Sequence, residues 1–196
     1  MPFRKEHLDN FHEINDNLWK LLEKGEIIRA NLVRIRFEKL FDMFDIKGIS
    51  PLEFNAKYLE NLGKGRRVID GATQTIIDLT NMGAKCYFIT NGAIAIQNSR
   101  LKGQPFMDYI SGICISESVG YKKPDKEFFI KAEELFNVKF SEKTLVVGDS
   151  LSSDIKGGIN ANIDTCWINR KREENLSNIK PTYEIYKIEE LLNIVK

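Results

Sequence analysis

Short apolar runs alternate with amphipathic segments through the last two thirds of this 196-residue chain. No other feature of the sequence constrains its fold as strongly. The apolar runs occupy residues 86–89, 113–115, 145–147 and 165–168. Segments with helical spacing of apolar residues lie between them, at 72–82, 126–136 and 153–161. Continuous apolar runs are typical of strands that are covered on both faces of a parallel sheet. The alternation therefore predicts an α/β fold with a doubly wound parallel sheet.

The first third of the chain has a different pattern. From about residue 5 to residue 63, apolar residues recur only at helical spacing, and residues 50–53 form a capping box that predicts a third helix start. We therefore predict a small helical domain over residues 1–66 and an α/β domain over residues 67–196. Gly63, Lys64 and Gly65 are the expected hinge.

The charge balance gives no electrostatic reason to expect DNA, RNA or an anionic membrane as a partner. The chain has 29 basic and 28 acidic residues, a net charge of +1. No apolar run approaches the ~18 residues needed to span a membrane. The three cysteines lie in apolar runs and predict buried, reduced thiols, so we expect a soluble, cytoplasmic protein. His7 and His12 are five residues apart, which does not suit two metal ligands on one helix face, and we expect both at the surface.

Three polar segments follow predicted strands, where ligands bind in open α/β sheets. The first contains Thr90, Asn91 and Gly92. A threonine hydroxyl can donate to a phosphate oxygen, and glycine lets the backbone approach an anion closely. The alternative is an ordinary polar transition from strand to loop.

The second segment centres on Lys123. Pro124 favours an extended conformation for the residue before it, and Asp125 is predicted to cap a helix that begins near Lys126. The lysine ammonium would then neutralise charge on a phosphoryl group and on a nearby carboxylate. The alternative is a capped helix start with solvated lysines.

The third segment places Asp149 and Asp154 five residues apart, across the end of a strand and the start of a helix. Asp149 suits Mg²⁺, which prefers one or two protein carboxylates together with water and phosphate oxygens. Asp154 would support that ligand shell or orient Lys123. The alternative is that Asp149 caps a turn and that Asp154 complements a helix dipole.

In this order, each after its own strand, the three segments resemble the motifs of the haloacid dehalogenase superfamily. Thr90 matches the second motif, Lys123 the third, and Asp149 with Asp154 the fourth; the resemblance covers essentially all of residues 5–196. It implies a Mg²⁺-dependent phosphatase with a Rossmann-like core and a helical cap. The implied catalytic residues are Thr90, Lys123 and Asp154, the implied substrate-binding residues are Thr90, Asn91, Gly92 and Lys123, and the implied metal ligand is Asp149.

Other segments resemble one subgroup of that superfamily, whose members hydrolyse nucleoside monophosphates, including noncanonical pyrimidine nucleotides. These segments are residues 15–26, 34–37, 150–158, 166–167 and 181–185. The resemblance implies a small phosphorylated metabolite, a nucleotide, as the substrate.

The first motif of the superfamily is missing. It is a buried strand ending in Asp-x-Asp, whose first aspartate is the nucleophile and whose second is the general acid and base. No Asp-x-Asp occurs in the chain, and Asp42 and Asp45 have the wrong spacing. In the family this strand is central, between the strands that end here at Thr90 and Gly148. Without it, either those strands pair, another segment fills the slot, or the natural protein is longer, and we favour the last hypothesis.

Three functions remain open at this point. The first is a phosphohydrolase, a nucleoside monophosphate phosphatase, that is inactive or impaired in this chain because the nucleophile is missing. The second is a catalytically dead regulatory module that keeps the phosphate and Mg²⁺ pocket. The third is a plain nucleotide-binding α/β domain, which is disfavoured because no G-x-G-x-x-G follows the first strand.

Overall fold

The computed structural model describes residues 4–141 and 143–195, which form two compact units. The first unit ends at Lys64 and the second begins at Gly65. The predicted boundary lies two residues later. The third helix runs through Gly63 to Lys64, so these two residues of the expected hinge are helical. Among the described residues, no helix is long and apolar enough to cross a membrane.

The first unit consists of three helices, α1 (Lys5–Glu23), α2 (Arg29–Met43) and α3 (Pro51–Lys64). Phe37 of α2 lies at the centre of its aromatic core, with its ring centroid 5.0 Å from that of Phe11 and 4.9 Å from that of Phe54. The predicted start of α3 is confirmed, because the Glu53 backbone N–H donates to the Ser50 hydroxyl at 3.4 Å.

A buried arginine joins the three helices. Arg36 of α2 is only 3% exposed. Its Nε donates to Asn55 Oδ1 of α3 at 2.8 Å, its Nη1 donates to Asn15 Oδ1 of α1 at 3.4 Å, and its guanidinium lies 4.6 Å from the centre of the Tyr58 ring. Burial lowers the pKa of Arg36 because it disfavours the charged form.

The prediction that His7 lies at the surface is wrong. His7 is 2% exposed, and its ring stacks on Phe44 with 4.3 Å between centroids. Its position on α1 is one helical turn before Phe11, so the imidazole serves as one more ring on the buried face of that helix. His12 is exposed, as predicted.

The second unit alternates helices and strands as the sequence pattern predicts. Its elements are α4 (Ala72–Asn81), β1 (Cys86–Thr90), α5 (Ile94–Leu101), a 3₁₀ turn (Pro105–Tyr109), β2 (Ile110–Ile115), α6 (Ser116–Val119), α7 (Lys126–Phe136), β3 (Leu145–Gly148), a π-helical turn (Leu151–Ile155), α8 (Lys156–Asn160), β4 (Asp164–Ile168), β5 (Tyr183–Ile185) and a second 3₁₀ turn (Ile188–Asn193). All four predicted strands are present. β5 was not predicted as a strand, and only Ile185 of its three residues is buried.

All strand pairs are parallel, which confirms the predicted fold class, but the strands form two separate sheets. β1 pairs with β2, and β4 pairs with both β3 and β5. In the part of the chain that the structure describes, β1 does not pair with β3 and no strand lies between them. Three outcomes were expected for a missing central strand. Among these residues, two of them are not observed: the flanking strands do not pair, and no other segment fills the slot as a strand.

The gap changes the burial of the strands beside it. Every residue of β1 is only half-buried, whereas Thr165, Cys166 and Trp167 of β4, which has a neighbour on each side, are buried. The prediction that the apolar runs are covered on both faces is thus correct for the middle of β4 and wrong for β1. An absent neighbour exposes both the backbone edge of a strand and the flanks of its side chains.

Helix α7 joins the two sheets on one side of the gap. Phe128 and Phe129 of α7 pack in one apolar cluster with Cys114 of β2 and Val146 of β3. Both phenylalanines are essentially inaccessible to solvent. The two sheets are thus tied together by side-chain packing where backbone pairing is missing, and this packing keeps their carboxyl ends close.

Candidate active site

Lys123 connects the two sheets at the carboxyl ends of β1 and β3. Its ammonium donates to the Ile89 carbonyl of β1 at 3.1 Å and to Oδ1 of Asp154, in the turn after β3, at 2.5 Å. The side chains of Lys123 and Asp154 are 8% and 10% exposed. Both charges are therefore held largely out of solvent, where each interacts more strongly with nearby charges than it would in water.

Asn91 holds the backbone of Lys123 in place. Its amide Nδ2 donates to the Lys123 carbonyl at 2.8 Å, and its Oδ1 accepts the Lys123 backbone N–H at 2.9 Å. The same amide donates to the Ser153 hydroxyl at 3.2 Å. The Asn91 side chain therefore positions the lysine. The predicted contact between Asn91 and substrate is untested, and it would have to be made by the Asn91 backbone.

Thr90 lies at the end of β1 with its hydroxyl oriented by two donors. Its Oγ1 accepts from the Gly92 backbone N–H at 3.0 Å and from Gln97 Nε2 at 3.2 Å. A hydroxyl has two lone pairs and one proton, so Thr90 can offer a further partner only its proton. A Cβ at position 92 would lie 2.2 Å from Gln97 Nε2, so glycine here leaves room for the hydrogen bond between Gln97 and Thr90.

Asp154 is held from three sides. One carboxylate oxygen faces Lys123, and Oδ2 accepts the Ser150 backbone N–H at 3.1 Å. A Cβ added to Gly148 would lie 2.1 Å from the Asp154 carboxyl carbon, so the carboxylate packs directly on the glycine at the end of β3. The Ser150 hydroxyl accepts the Ser153 N–H at 3.1 Å and caps the turn that carries Asp154.

Asp149 is exposed at the tip of β3. Its carbonyl accepts a hydrogen bond from the Trp167 Nε1 of neighbouring β4 at 3.0 Å. It lies between Gly148 and Ser150, both of which contact Asp154. The structure thus brings Thr90, Lys123, Asp149 and Asp154 to one edge of the second unit through a connected set of contacts.

The expected helix cap by Asp125 is wrong in its detail. Asp125 is the residue before α7, but its side chain makes no capping hydrogen bond. The neighbouring Pro124 is held instead by Asn160 of α8, whose Nδ2 donates to the Pro124 carbonyl at 2.9 Å. Gly157 of α8 leaves room for the Phe129 ring, since a Cβ there would lie 2.7 Å from Phe129 Cε2.

The site contains residues that the sequence pattern did not reveal. Gln97, Ser150 and Trp167 hold predicted site residues by hydrogen bonds, and Asn160 holds Pro124 beside Lys123. The contacts of Asn160 and Trp167 could not be read from local spacing, because they join segments 36 and 18 residues apart in the chain.

The donor set fits Mg²⁺ only in part. Asp149 offers one exposed carboxylate at the strand tip, while the Asp154 carboxylate is engaged by Lys123 and Ser150. Among the residues that the structure describes, no three of His, Cys, Asp or Glu gather in a metal-binding group. Mg²⁺ retains several waters and binds phosphate oxygens, so a single protein carboxylate can contribute to such a site without completing it.

Cys114 does not replace the missing nucleophile. It is fully buried, and burial raises the pKa of its thiol, an effect that the nearby charge of Lys123 only partly offsets. The thiolate is the nucleophilic form of cysteine, and it is disfavoured here.

The chain is similar to known proteins over most of its length. The model of the haloacid dehalogenase-like hydrolase family matches residues 4–162. The HAD-hydrolase YfnB of Bacillus subtilis is 36% identical over 195 residues, and the match covers 100% of this chain and 82% of that protein. A crystal structure of YfnB bound to magnesium has a TM-score of 0.88 at 35% identity, and the match covers 100% of this chain and 84% of that one.

Two pyrimidine 5'-nucleotidases are similarly close. PynA of Streptococcus pneumoniae is 36% identical over 185 residues, 94% of this chain and 78% of that protein. YjjG of Escherichia coli is 32% identical over 191 residues, 97% of this chain and 83% of that protein.

Proposed function

Because the chain belongs to the haloacid dehalogenase-like hydrolase family, we propose that its second unit binds the phosphoryl group of a small phosphomonoester, a pyrimidine nucleoside monophosphate. The observation that carries this proposal is the set of contacts that brings Thr90, Lys123 and Asp149 to one edge. A hydroxyl donor, a buried ammonium and an exposed carboxylate at one edge are suited to a phosphate dianion with a divalent cation.

Each residue has a defined part in this proposal. Thr90 donates its proton to a phosphoryl oxygen, since its lone pairs are already engaged. Lys123 offsets the negative charge, and Asp154 is a positioning residue that holds the ammonium. Such pre-placed charges provide most of the rate enhancement in phosphoryl transfer.

Asp149 is the proposed ligand of Mg²⁺. The ion would neutralise charge on the phosphoryl oxygens, with its remaining ligands drawn from water and phosphate. The backbone of Asp149 is fixed by the hydrogen bond from Trp167, so its carboxylate starts from a defined position.

We propose that the helical first unit is the cap domain of the family and supplies selectivity among phosphomonoesters. The support is its three-helix composition and the similarity of the whole chain to the nucleotidases PynA and YjjG.

We also propose that this chain binds its ligand without turning it over. No Asp-x-Asp occurs in the sequence, and in the described residues the space between β1 and β3 holds no strand. An attack on phosphorus requires a carboxylate or another activated nucleophile at that place, and the buried thiol of Cys114 does not provide one.

A regulatory module is the second candidate, and the gap between the sheets favours it over an active enzyme. Both candidates predict binding of uridine monophosphate in the presence of Mg²⁺, and calorimetric titration measures it. Asp149→Asn should abolish the Mg²⁺ dependence and Thr90→Val should weaken binding about tenfold by removing one charge-assisted hydrogen bond.

Asp108→Asn is the matched control, because Asp108 is an exposed aspartate in the 3₁₀ turn before β2 and should leave binding unchanged. Unchanged Mg²⁺ dependence in Asp149→Asn would contradict the assignment of the metal ligand.

A further inference from the structure

Two arginines from distant parts of the second unit line one polar cavity. The cavity has a volume of about 370 Å³, and its walls are formed by Arg67, Val68, Ile69, Asp70 and Arg170. Arg67 lies ahead of α4, and Arg170 follows β4, more than a hundred residues later. The fold therefore brings together two cations that the sequence keeps far apart.

Neither guanidinium is compensated. Among the described residues, neither Arg67 nor Arg170 has a hydrogen bond, ion pair or ring contact, whereas the neighbouring Arg66 donates to the Ser99 carbonyl. Asp70 is the one carboxylate in the cavity wall, and no ion pair within 4.0 Å joins it to either arginine. Two positive charges and one negative charge leave the cavity with a surplus of one positive charge.

The loop that carries Arg170 is held in one conformation. Asn169, directly before it, is 4% exposed. Its Nδ2 donates to the Glu173 carbonyl at 2.8 Å and its Oδ1 accepts the Glu173 N–H at 2.8 Å. One side chain thus holds the two ends of the loop together. The same amide donates to Glu184 Oε1 of β5 at 2.7 Å, which attaches the loop to the sheet.

The other arginine of this loop is used differently. The guanidinium of Arg172 lies 4.4 Å from the centre of the Tyr186 ring. The loop thus fixes one arginine on an aromatic ring and leaves the other at the cavity, with a backbone that needs no further ordering when Arg170 binds.

We propose that Arg67 and Arg170 form a second oxyanion site, which binds a phosphate or carboxylate group of a small anionic metabolite. Two forked guanidiniums bind an oxyanion through several charge-assisted hydrogen bonds. The cavity wall shares no residue with the proposed phosphoryl pocket of Thr90 and Lys123, and the inference holds whether or not that pocket binds a nucleotide. Ile69 in the cavity wall, 44% exposed, offers the bound molecule an apolar contact beside the charges.

The test is an NMR titration of the full chain with inorganic phosphate at constant ionic strength, and a parallel titration with succinate. The Nε–Hε signals of Arg67 and Arg170 should shift and saturate with at least one of the two anions. Each of Arg67→Gln and Arg170→Gln should weaken that affinity about tenfold or more. The backbone amides of Thr90 and Gly92 report the other pocket independently.

Arg172→Gln is the matched control, since it removes an arginine from the same loop but not from the cavity, and it should leave the affinity unchanged. Asn169→Ala should weaken binding while both arginines remain, because it releases the loop. Shifts that do not saturate with either anion, or an equal loss of affinity in Arg172→Gln, would overturn the proposal. The dispersion of the amide spectrum shows in each variant that the chain is folded.

Discussion

The ammonium of Lys123 lies 2.5 Å from Oδ1 of Asp154, and both side chains are at least nine-tenths buried. The lysine follows β2 and the aspartate follows β3, so their contact joins the two separate sheets at the edge where the proposed phosphoryl pocket lies. The pair is a structural connection as well as a candidate functional one.

Removal of one member of this pair should destabilise the protein strongly. Asp154→Asn leaves the Lys123 ammonium buried without a carboxylate partner. Lys123→Met leaves the Asp154 carboxylate buried without an ammonium partner. Loss of one partner of a buried pair costs ~3–5 kcal/mol, so each free energy of unfolding should fall by about that amount. Urea denaturation measures both.

The double variant Lys123→Met with Asp154→Asn should lose less than the sum of the two single losses, because neither charge is then stranded. As a control, Lys131→Ala removes one partner of the exposed pair Lys131–Glu134 and should leave stability almost unchanged, because solvent screens this pair. Equal effects at the buried and the exposed pair would contradict the structural role assigned to Lys123.

Gly148→Ala should displace Asp154. The new Cβ would lie 2.1 Å from a carboxyl carbon that Lys123 and Ser150 hold in place, so we expect a loss of ~1–3 kcal/mol from overpacking. Thermal and urea unfolding measure it.

Gly92→Ala provides the comparison, because its Cβ would meet the end of the Gln97 side chain, which can rotate away at the cost of its bond to Thr90. Gly92→Ala should therefore weaken phosphate binding and change the free energy of unfolding only slightly. If Gly148→Ala is as stable as the unchanged protein, the Asp154 carboxylate does not pack directly on Gly148 at the end of β3.

The stability of the protein should fall in alkaline solution because of Cys166. Burial, and to a smaller extent the charge of Glu190, raises the pKa of this thiol from 9.0 to about 11. Below pH 9 the thiol is protonated in both folded and unfolded chains, and its contribution to stability is complete. As the pH rises from 9 to 11, only the unfolded chain ionises, so stability falls by roughly 2–3 kcal/mol.

Urea denaturation in reducing buffer at pH 8, 9.5 and 11 tests this. Cys166→Ala should show a smaller decrease over that range, with a residual slope from Cys86 and Cys114, whose pKa values burial also raises. Identical slopes in both proteins would show that Cys166 is not the group responsible.

Removal of a hydrogen-bond partner of Arg36 should destabilise the protein more than replacement of Arg36 itself. Asn55→Leu removes the acceptor of the Arg36 Nε and leaves a buried cation with fewer partners, so we expect a loss of ~2–4 kcal/mol. Arg36→Met removes the charge and keeps much of the volume, and should cost less. The midpoints of urea unfolding give the order, and a larger loss in Arg36→Met would contradict it.

The strands and helices of the second unit could be predicted because their apolar runs are short, continuous and separated by helical spacing. The positions of Thr90, Lys123 and Asp149 followed from one rule, that ligands bind beyond the carboxyl ends of parallel strands. β5 escaped prediction because two of its three residues, Tyr183 and Glu184, are exposed and give no apolar run.

The contacts that position the site could not be predicted in the same way. Asn91 looked like a ligand for substrate, yet its amide holds Lys123, thirty-two residues away. Asp125 had the spacing of a cap but makes no capping bond, and Asn160 holds the preceding Pro124 instead. Such hydrogen bonds depend on the relative placement of segments, which local patterns do not encode.

No Asp-x-Asp occurs in the sequence, and among the described residues β1 and β3 lie in separate sheets. α7 and the Lys123–Asp154 pair keep the two sheets together without backbone pairing. The half-buried side chains of β1 are available to a strand that would complete the sheet. Such a strand, ending in Asp-x-Asp, would bring a carboxylate nucleophile beside Lys123.

The most direct measurement compares phosphate release from uridine monophosphate with Mg²⁺ by this chain and by the same chain extended by an apolar strand ending in Asp-x-Asp. We expect binding without measurable turnover by the first chain, and turnover by the second that is lost when the first aspartate of the added motif becomes asparagine. Turnover by the unextended chain at the ~1–10³ s⁻¹ typical of enzymes would show that it does not depend on the added motif, against our proposal.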